Sequence, residues 1–107
     1  MMNCKDELIT LLKPFRREQI IITPHAHIRM IQRQISENEV IENILNPKRL
    51  VYAIRKEKQK FDCYFDYSKN LCHRYILAIE KNIVIITVVK INRRWQHIVE
   101  KKILLRK

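Results

Sequence analysis

The chain has 107 residues, 47% of them hydrophobic, and its 22 basic and 11 acidic groups leave a formal net charge of +11. That length fits one domain without a second independent core, and the apolar content argues for a packed globule over a disordered tail. The absence of glycine excludes glycine-rich phosphate loops and dinucleotide fingerprints. No apolar run approaches the roughly 18 residues of a membrane span, and Lys5, Asp6 and Glu7 interrupt any signal-peptide core, so a cytoplasmic protein is expected.

Residues 3–13 set Leu8, Ile9, Leu11 and Leu12 among polar neighbours, which predicts a short amphipathic helix ended with the help of Pro14. Gln19 to Ile22 reads as a brief buried strand. Thr23-Pro24 then starts a helix, with threonine as N-cap and proline in the first turn, where its missing N–H costs nothing. From 24 to about 34 this helix puts Ile28, Ile31 and Ile35 on one stripe and His25, Arg29 and Arg33, each four apart, on the adjacent flank. Ser36-x-x-Glu39 is a capping box for a second helix, in which Val40, Ile41, Ile44 and Leu45 turn inward, and Asn46-Pro47 stops it. The two make a helical hairpin.

From residue 49 the pattern changes to four strand candidates, Leu50–Ile54, Phe61–Tyr67, His73–Ile79 and Ile83–Ile91, which suggest a meander. Ser68-Lys69-Asn70 and Glu80-Lys81-Asn82 both end in asparagine, the usual substitute for glycine at a left-handed turn position. If each is a three-residue hairpin of that kind, Tyr67 pairs with Leu71 and Ile79 with Ile83. This register places Phe61, Cys63, Phe65, Leu77, Ile79, Ile83, Ile85 and Thr87 under the helices. It leaves Asp62, Tyr64, Arg74, Ile76, Val88 and Lys90 on an open face, with Tyr64 across from Arg74 and Arg74 across from Val88. Cys63 and Cys72 then point to opposite sides and cannot bridge. The stretch from Arg93 suits either a helix or an edge strand. The expected class is α+β: a single domain over 1–107, with helices on one face of an antiparallel meander and an added N-terminal helix.

The charge is segregated. Residues 90–107, 48–60 and 13–33 carry +6, +5 and +4, and the remainder sums to −4. A segregated positive field suits a polyanionic partner, although lysine and isoleucine enrichment also follows from genomic base composition or thermophily. Cys4, Cys63 and Cys72 are odd in number and lack a Cys-x-x-Cys pair, so free thiols are expected. A zinc site from Cys63, Cys72 and His73 lacks the paired spacing of structural sites, and neither a metal nor a cofactor is expected.

What remains is metal-free ribonuclease chemistry: a base takes the 2′-hydroxyl proton, cations stabilise the phosphorane and an acid protonates the leaving oxygen. His25 is the candidate base or acid, because the positive end of a helix favours a neutral imidazole; the alternative is a plain surface histidine. Arg29 and Arg33 suit a phosphate clamp, or else a solvated flank paired with Glu37. Tyr64 and Arg74, beside Lys90, suit phosphate binding or base stacking, or else an ordinary cross-strand pair. Arg93 and Arg94 with Trp95 suit a stacking platform, or else Trp95 belongs to the core. His73 and His97 read as structural.

The run His25-Ala26-x-x-Arg29-Met30-x-x-Arg33-x-Ile35-Ser36, a second helix ending in Asn46-Pro47, the meander, and Ile86-Thr87-Val88 near its end resemble a group of small prokaryotic domains of uncharacterised function. Their pattern is His-Ala-x-x-Arg-x-x-x-Arg-x-Ile-Ser, and they are similar to BrnT and more distantly to the RelE/ParE toxins. The resemblance covers about residues 20–91. It implies a RelE-like fold whose open sheet face meets RNA or an antitoxin peptide, and it puts His25, Arg29, Arg33 and Thr87 at the characteristic positions. Gln34 departs from that pattern, which often has glycine before Ile-Ser. Three readings follow: a toxin-like, metal-independent endoribonuclease acting on RNA, free or on the ribosome, with an acidic antitoxin; a non-catalytic nucleic-acid-binding module; and a protein-interaction module.

Overall fold

The computed structural model describes residues 3–92. In chain order these form α1 (Lys5–Leu12), a 3-10 turn (Arg17–Gln19), β1 (Ile20–Ile22), α2 (Pro24–Gln32), α3 (Glu37–Leu45), β2 (Leu50–Glu57), β3 (Lys60–Asp66), β4 (Leu71–Ile79) and β5 (Ile83–Asn92). The sheet order is β1-β5-β4-β3-β2. The fold is α+β with the helices on one face, as expected, but the sheet is mixed rather than purely antiparallel. β1 runs parallel to β5, with Ile20 beside Ile83 and Ile22 beside Ile85. A parallel pair needs a long crossover, and here the helical hairpin and three strands supply it.

The segment before α1 covers the outer edge of the sheet. Cys4 N–H donates to Ala53 O at 2.7 Å, and Ala53 N–H donates to Asn3 Oδ1 at 3.1 Å, so β2 does not present a bare row of polar groups there. α1 then buries Leu8 and Leu12 and ties Glu7 to Arg55.

Thr23 caps α2 as expected, accepting from Ala26 N–H at 3.1 Å, with Pro24 in the first turn. The buried side of the helix differs from the predicted stripe. Ala26 and Met30 face the core, while Ile28 and Ile31 are 55% and 76% exposed. The small alanine lets the helix approach β5 closely, and flexible Met30 fills the gap that remains. Only Ile35, beyond the helix, joins the core as predicted.

The chain leaves α2 through a Schellman turn. Gln34 N–H donates to Ile31 O at 3.2 Å and Ile35 N–H to Met30 O at 2.8 Å, with apolar Ile35 and Met30 in the same cluster. Gln34 sits at φ 54°, the position for which glycine is suited. Among the described residues no other non-glycine has positive φ, so Asn70 and Asn82 are not the left-handed residues expected. The turns close through other bonds: Ser68 N–H to Leu71 O at 3.0 Å and Glu80 N–H to Asn82 O at 3.0 Å. α3 starts at Ser36, whose Oγ accepts from Glu39 N–H at 3.4 Å, and buries Val40, Ile41 and Ile44.

The expected register holds for both hairpins: Tyr67 N–H reaches Leu71 O, Tyr64 pairs with Arg74, and Ile79 pairs with Ile83. It fails beyond Leu77. Ile76 opposes Thr87 and Leu77 opposes Ile85, so Ile86 is an extra residue in β5. This bulge reverses the predicted faces of everything after it: Thr87 turns to the face away from the helices, while Val88 and Lys90, opposite Tyr75 and His73, turn toward them. Arg74 pairs with Val89 rather than Val88.

Both faces carry apolar clusters. Leu8, Met30, Ile44, Phe61, Phe65 and Leu77 belong to the core under the helices. Tyr52, Ile54, Tyr64 and Cys72 form a second cluster on the other side. Cys63 and Cys72 fall in different clusters, as the register required. No described helix is long and apolar enough to cross a membrane.

Candidate functional site

The predicted residues do not converge on one place. His25, Arg29 and Arg33 are all exposed, because burying Ala26 and Met30 turns the basic flank of α2 outward. Spaced at one turn each, they run about 12 Å along the helix. Ile28 and Ile31 stand exposed on the same helix. Among the described residues neither Arg29 nor Arg33 has an ion-pair partner. The α3 carboxylate that does is Glu42, which holds Arg17 at 2.9 Å.

Tyr64, Arg74 and Thr87 lie on the opposite side of the sheet, and that side is not the open surface expected. Tyr64 is 4% exposed and stacks on Tyr52, with ring centroids 4.5 Å apart. Arg74 grips Asp62 with two hydrogen bonds, Nε to Oδ1 and Nη2 to Oδ2, both 2.7 Å. Asp62 is 1% exposed, with Lys56 a further 3.9 Å away. Those bonds push the Arg74 guanidinium further up from its ordinary value. Burial, then the Asp62 charge, pushes the Tyr64 phenol up to about 12. A stacked, buried phenol and a guanidinium committed to a buried carboxylate are built for packing. Thr87, opposite Ile76, is half-buried on this face.

Lys90, expected beside Tyr64, is across the sheet from it, with its ammonium 4.8 Å from the centre of the Tyr67 ring. Arg93, Arg94, Trp95 and His97 lie outside the described residues.

Lys90 leads to a group that the sequence did not single out. Tyr67 stacks on His73 at 4.4 Å between centroids. His73 is fully buried, and its Nδ1 is 2.9 Å from Tyr75 Oη, which accepts from Asn43 Nδ2 at 2.8 Å. Burial, helped by Lys90 and Arg49, lowers His73 to about 4, so the ring is neutral at neutral pH. Burial likewise raises Tyr75, against the Asn43 hydrogen bond. The relay thus consists of uncharged groups, and among the described residues His73 Nε2 has no hydrogen-bond partner. His73 is structural, as expected, but it anchors Asn43 and Tyr67 at the surface.

Those two residues line a cleft of about 380 Å³ between α3 and the end of β3. Asn38, Glu39, Glu42 and Asn46 line it on the helix side, and Lys48 and Arg49 line its end.

The model of a domain of unknown function (DUF4258) matches residues 22–99. The chain belongs to this family. No curated protein and no solved structure matches it. The DUF4258 span takes in α2, α3 and the meander and leaves α1 outside. Both the exposed flank of α2 and the cleft therefore belong to the DUF4258 part. One sequence signal points to the cleft: residues 38, 42 and 46, with 39 and 43, recur four apart on a polar stripe along α3 and its C-cap.

Proposed function

We propose that this DUF4258 domain is a toxin-like RNA-binding protein, related to the BrnT and RelE/ParE group, and that it engages RNA through the basic flank of α2. The supporting observation is that His25, Arg29 and Arg33 are all exposed on one flank of a helix anchored in the core, in a chain of net charge +11. Arginines one turn apart can take successive phosphate oxygens. The resemblance extends the proposal to metal-independent cleavage. In that step His25 accepts the 2′-hydroxyl proton, the 2′-oxygen bonds to phosphorus, the P–O5′ bond breaks and water protonates the departing oxygen, leaving a 2′,3′-cyclic phosphate and a 5′-hydroxyl, after which His25 returns its proton to solvent. Arg29 and Arg33 would balance the charge on the phosphorane. The proposal includes a cytoplasmic location and RNA, free or on the ribosome, as partner.

Tyr64 and Arg74 drop out of the RNA contact surface in this reading, because Tyr64 is buried in the second cluster and Arg74 is committed to Asp62. A second reading rests on Ile28 and Ile31, exposed beside Arg29. An acidic partner protein with apolar anchors, such as an antitoxin, suits that mixed surface, and the domain would then bind without cutting.

The test is incubation of purified protein with total RNA, with and without EDTA, beside a folded His25→Ala/Arg29→Ala variant. Cleavage that survives EDTA and is lost in the variant is the expected result. Intact RNA that still shifts in a salt-dependent way would leave a binding module. Intact, unshifted RNA would remove the proposal.

A further inference from the structure

The cleft beside α3 combines neutral amides, two carboxylates and cations, and its most buried wall is fixed. Asn43 is held by the relay through Tyr75 to His73, and that relay cannot rotate freely, since His73 and Tyr75 are fully buried. With one amide N–H committed to Tyr75, Asn43 has its carbonyl and second N–H left for the cleft it lines. A paired donor and acceptor of that kind matches the edge of a nucleobase. Glu39, on the same wall, is an acceptor suited to an exocyclic amine. The charge of Glu42 is already met by Arg17 at 2.9 Å, so it does not repel an anion as a bare carboxylate would. Lys48 and Arg49 are exposed at the end of the cleft, where they can take a phosphate. A volume of about 380 Å³ is at the small end for ligand clefts. It suits a single nucleotide and excludes a duplex, whose bases face inward.

We infer that this cleft binds one unpaired nucleotide, with Asn43 and Glu39 on the edge of an amino-bearing base and Lys48 and Arg49 on its phosphate. The inference rests on the proposed RNA-binding function, which it deepens. The α2 flank grips the backbone without regard to sequence, and the cleft supplies a preference for single strands and for bases carrying an amino group.

The experiment is fluorescence anisotropy with labelled octamers of adenosine and of uridine and a duplex RNA, with adenosine monophosphate added as competitor and also titrated alone in calorimetry. The proteins are wild type, Glu39→Ala, Asn43→Ala and, as a surface control, Arg29→Ala. Glu39 is exposed, so its variant keeps the test valid even if Asn43→Ala unfolds. Expected are tighter binding of the adenosine octamer than of the uridine octamer, and a loss of about tenfold for adenosine in each cleft variant. Duplex affinity should stay within about twofold in the cleft variants and fall for all three RNAs in Arg29→Ala. Adenosine monophosphate that competes with the octamer on wild type supports a site formed for the nucleotide itself. Adenosine binding unchanged in both cleft variants would overturn the inference while leaving RNA binding in place. Monophosphate binding lost in Glu39→Ala, with no RNA bound by wild type, would instead overturn the RNA reading and keep the cleft. No binding of either ligand would overturn both.

Discussion

The two faces of the sheet solve the same burial problem with different chemistry. Under the helices, aliphatic and aromatic side chains dominate, and the buried imidazole of His73 stays neutral. On the far face the buried Asp62 carboxylate is held by two short bonds to Arg74, on the side of the sheet that carries the Tyr52–Tyr64 stack. The difference teaches that burial alone says little about charge: a group either gives up its charge or brings a partner with it.

The largest test of that contrast is cavity formation on each side. Phe65→Ala under the helices and Tyr52→Ala opposite should each cost about 3–5 kcal/mol in urea unfolding, and a much smaller loss for Tyr52 would mean that the far cluster is loosely packed. Next comes the ion pair. Arg74→Ala strands the Asp62 carboxylate with Lys56 alone, at 3.9 Å, and should cost about 3 kcal/mol, while the double change Asp62→Leu/Arg74→Met should be close to neutral. If the double change costs as much as the single one, the pair has a role beyond compensation.

The imidazole gives a third test through pH. His73 binds its proton with a value lowered from 6.5 to about 4, so between those values the unfolded chain holds more protons than the folded one. Stability is full above pH 6.5 and falls as pH drops toward 4, by about 3 kcal/mol. His73→Gln should flatten that part of the curve. The smallest effect lies outside both faces: Gln34→Gly relieves a left-handed side chain at φ 54° and should raise stability by about 1 kcal/mol.

Much of the fold could be read from residue order, for physical reasons. Thr23-Pro24 and Ser36-x-x-Glu39 mark helix starts because capping is local, and the short turns between β3, β4 and β5 left little freedom of register. What the order could not reveal was the Ile86 bulge. Ile85-Ile86-Thr87-Val88-Val89 is apolar at nearly every position, so a slip of one residue presents an acceptable side chain to either face, and no glycine marks the irregularity. The same ambiguity hid the far cluster, since Tyr52, Ile54, Tyr64 and Cys72 look like one half of an alternation only when the other half is polar. On α2 the large isoleucines resemble a buried stripe in sequence, whereas the close fit of Ala26 and Met30 decides which side turns inward. The basic flank was legible from its spacing of four. The cleft was less so, because its walls meet only when Tyr67 is brought back beside α3.

Thr23 binds two of these features together. Its hydroxyl accepts from Ala26 N–H at the start of α2 and donates to Ile86 O at 3.3 Å in the bulge, while its own N–H reaches Ile85 O at 3.1 Å. One side chain therefore serves as the datum from which both the helix and the kinked strand are set. Deleting Ile86 would straighten β5 and at the same moment remove the seat of the helix, so a shortened strand and the present pose of His25 and Arg29 are mutually exclusive designs. Because both bonds from Thr23 go to backbone carbonyls, it is the extra residue in β5, not the side chain at position 86, that seats the helix.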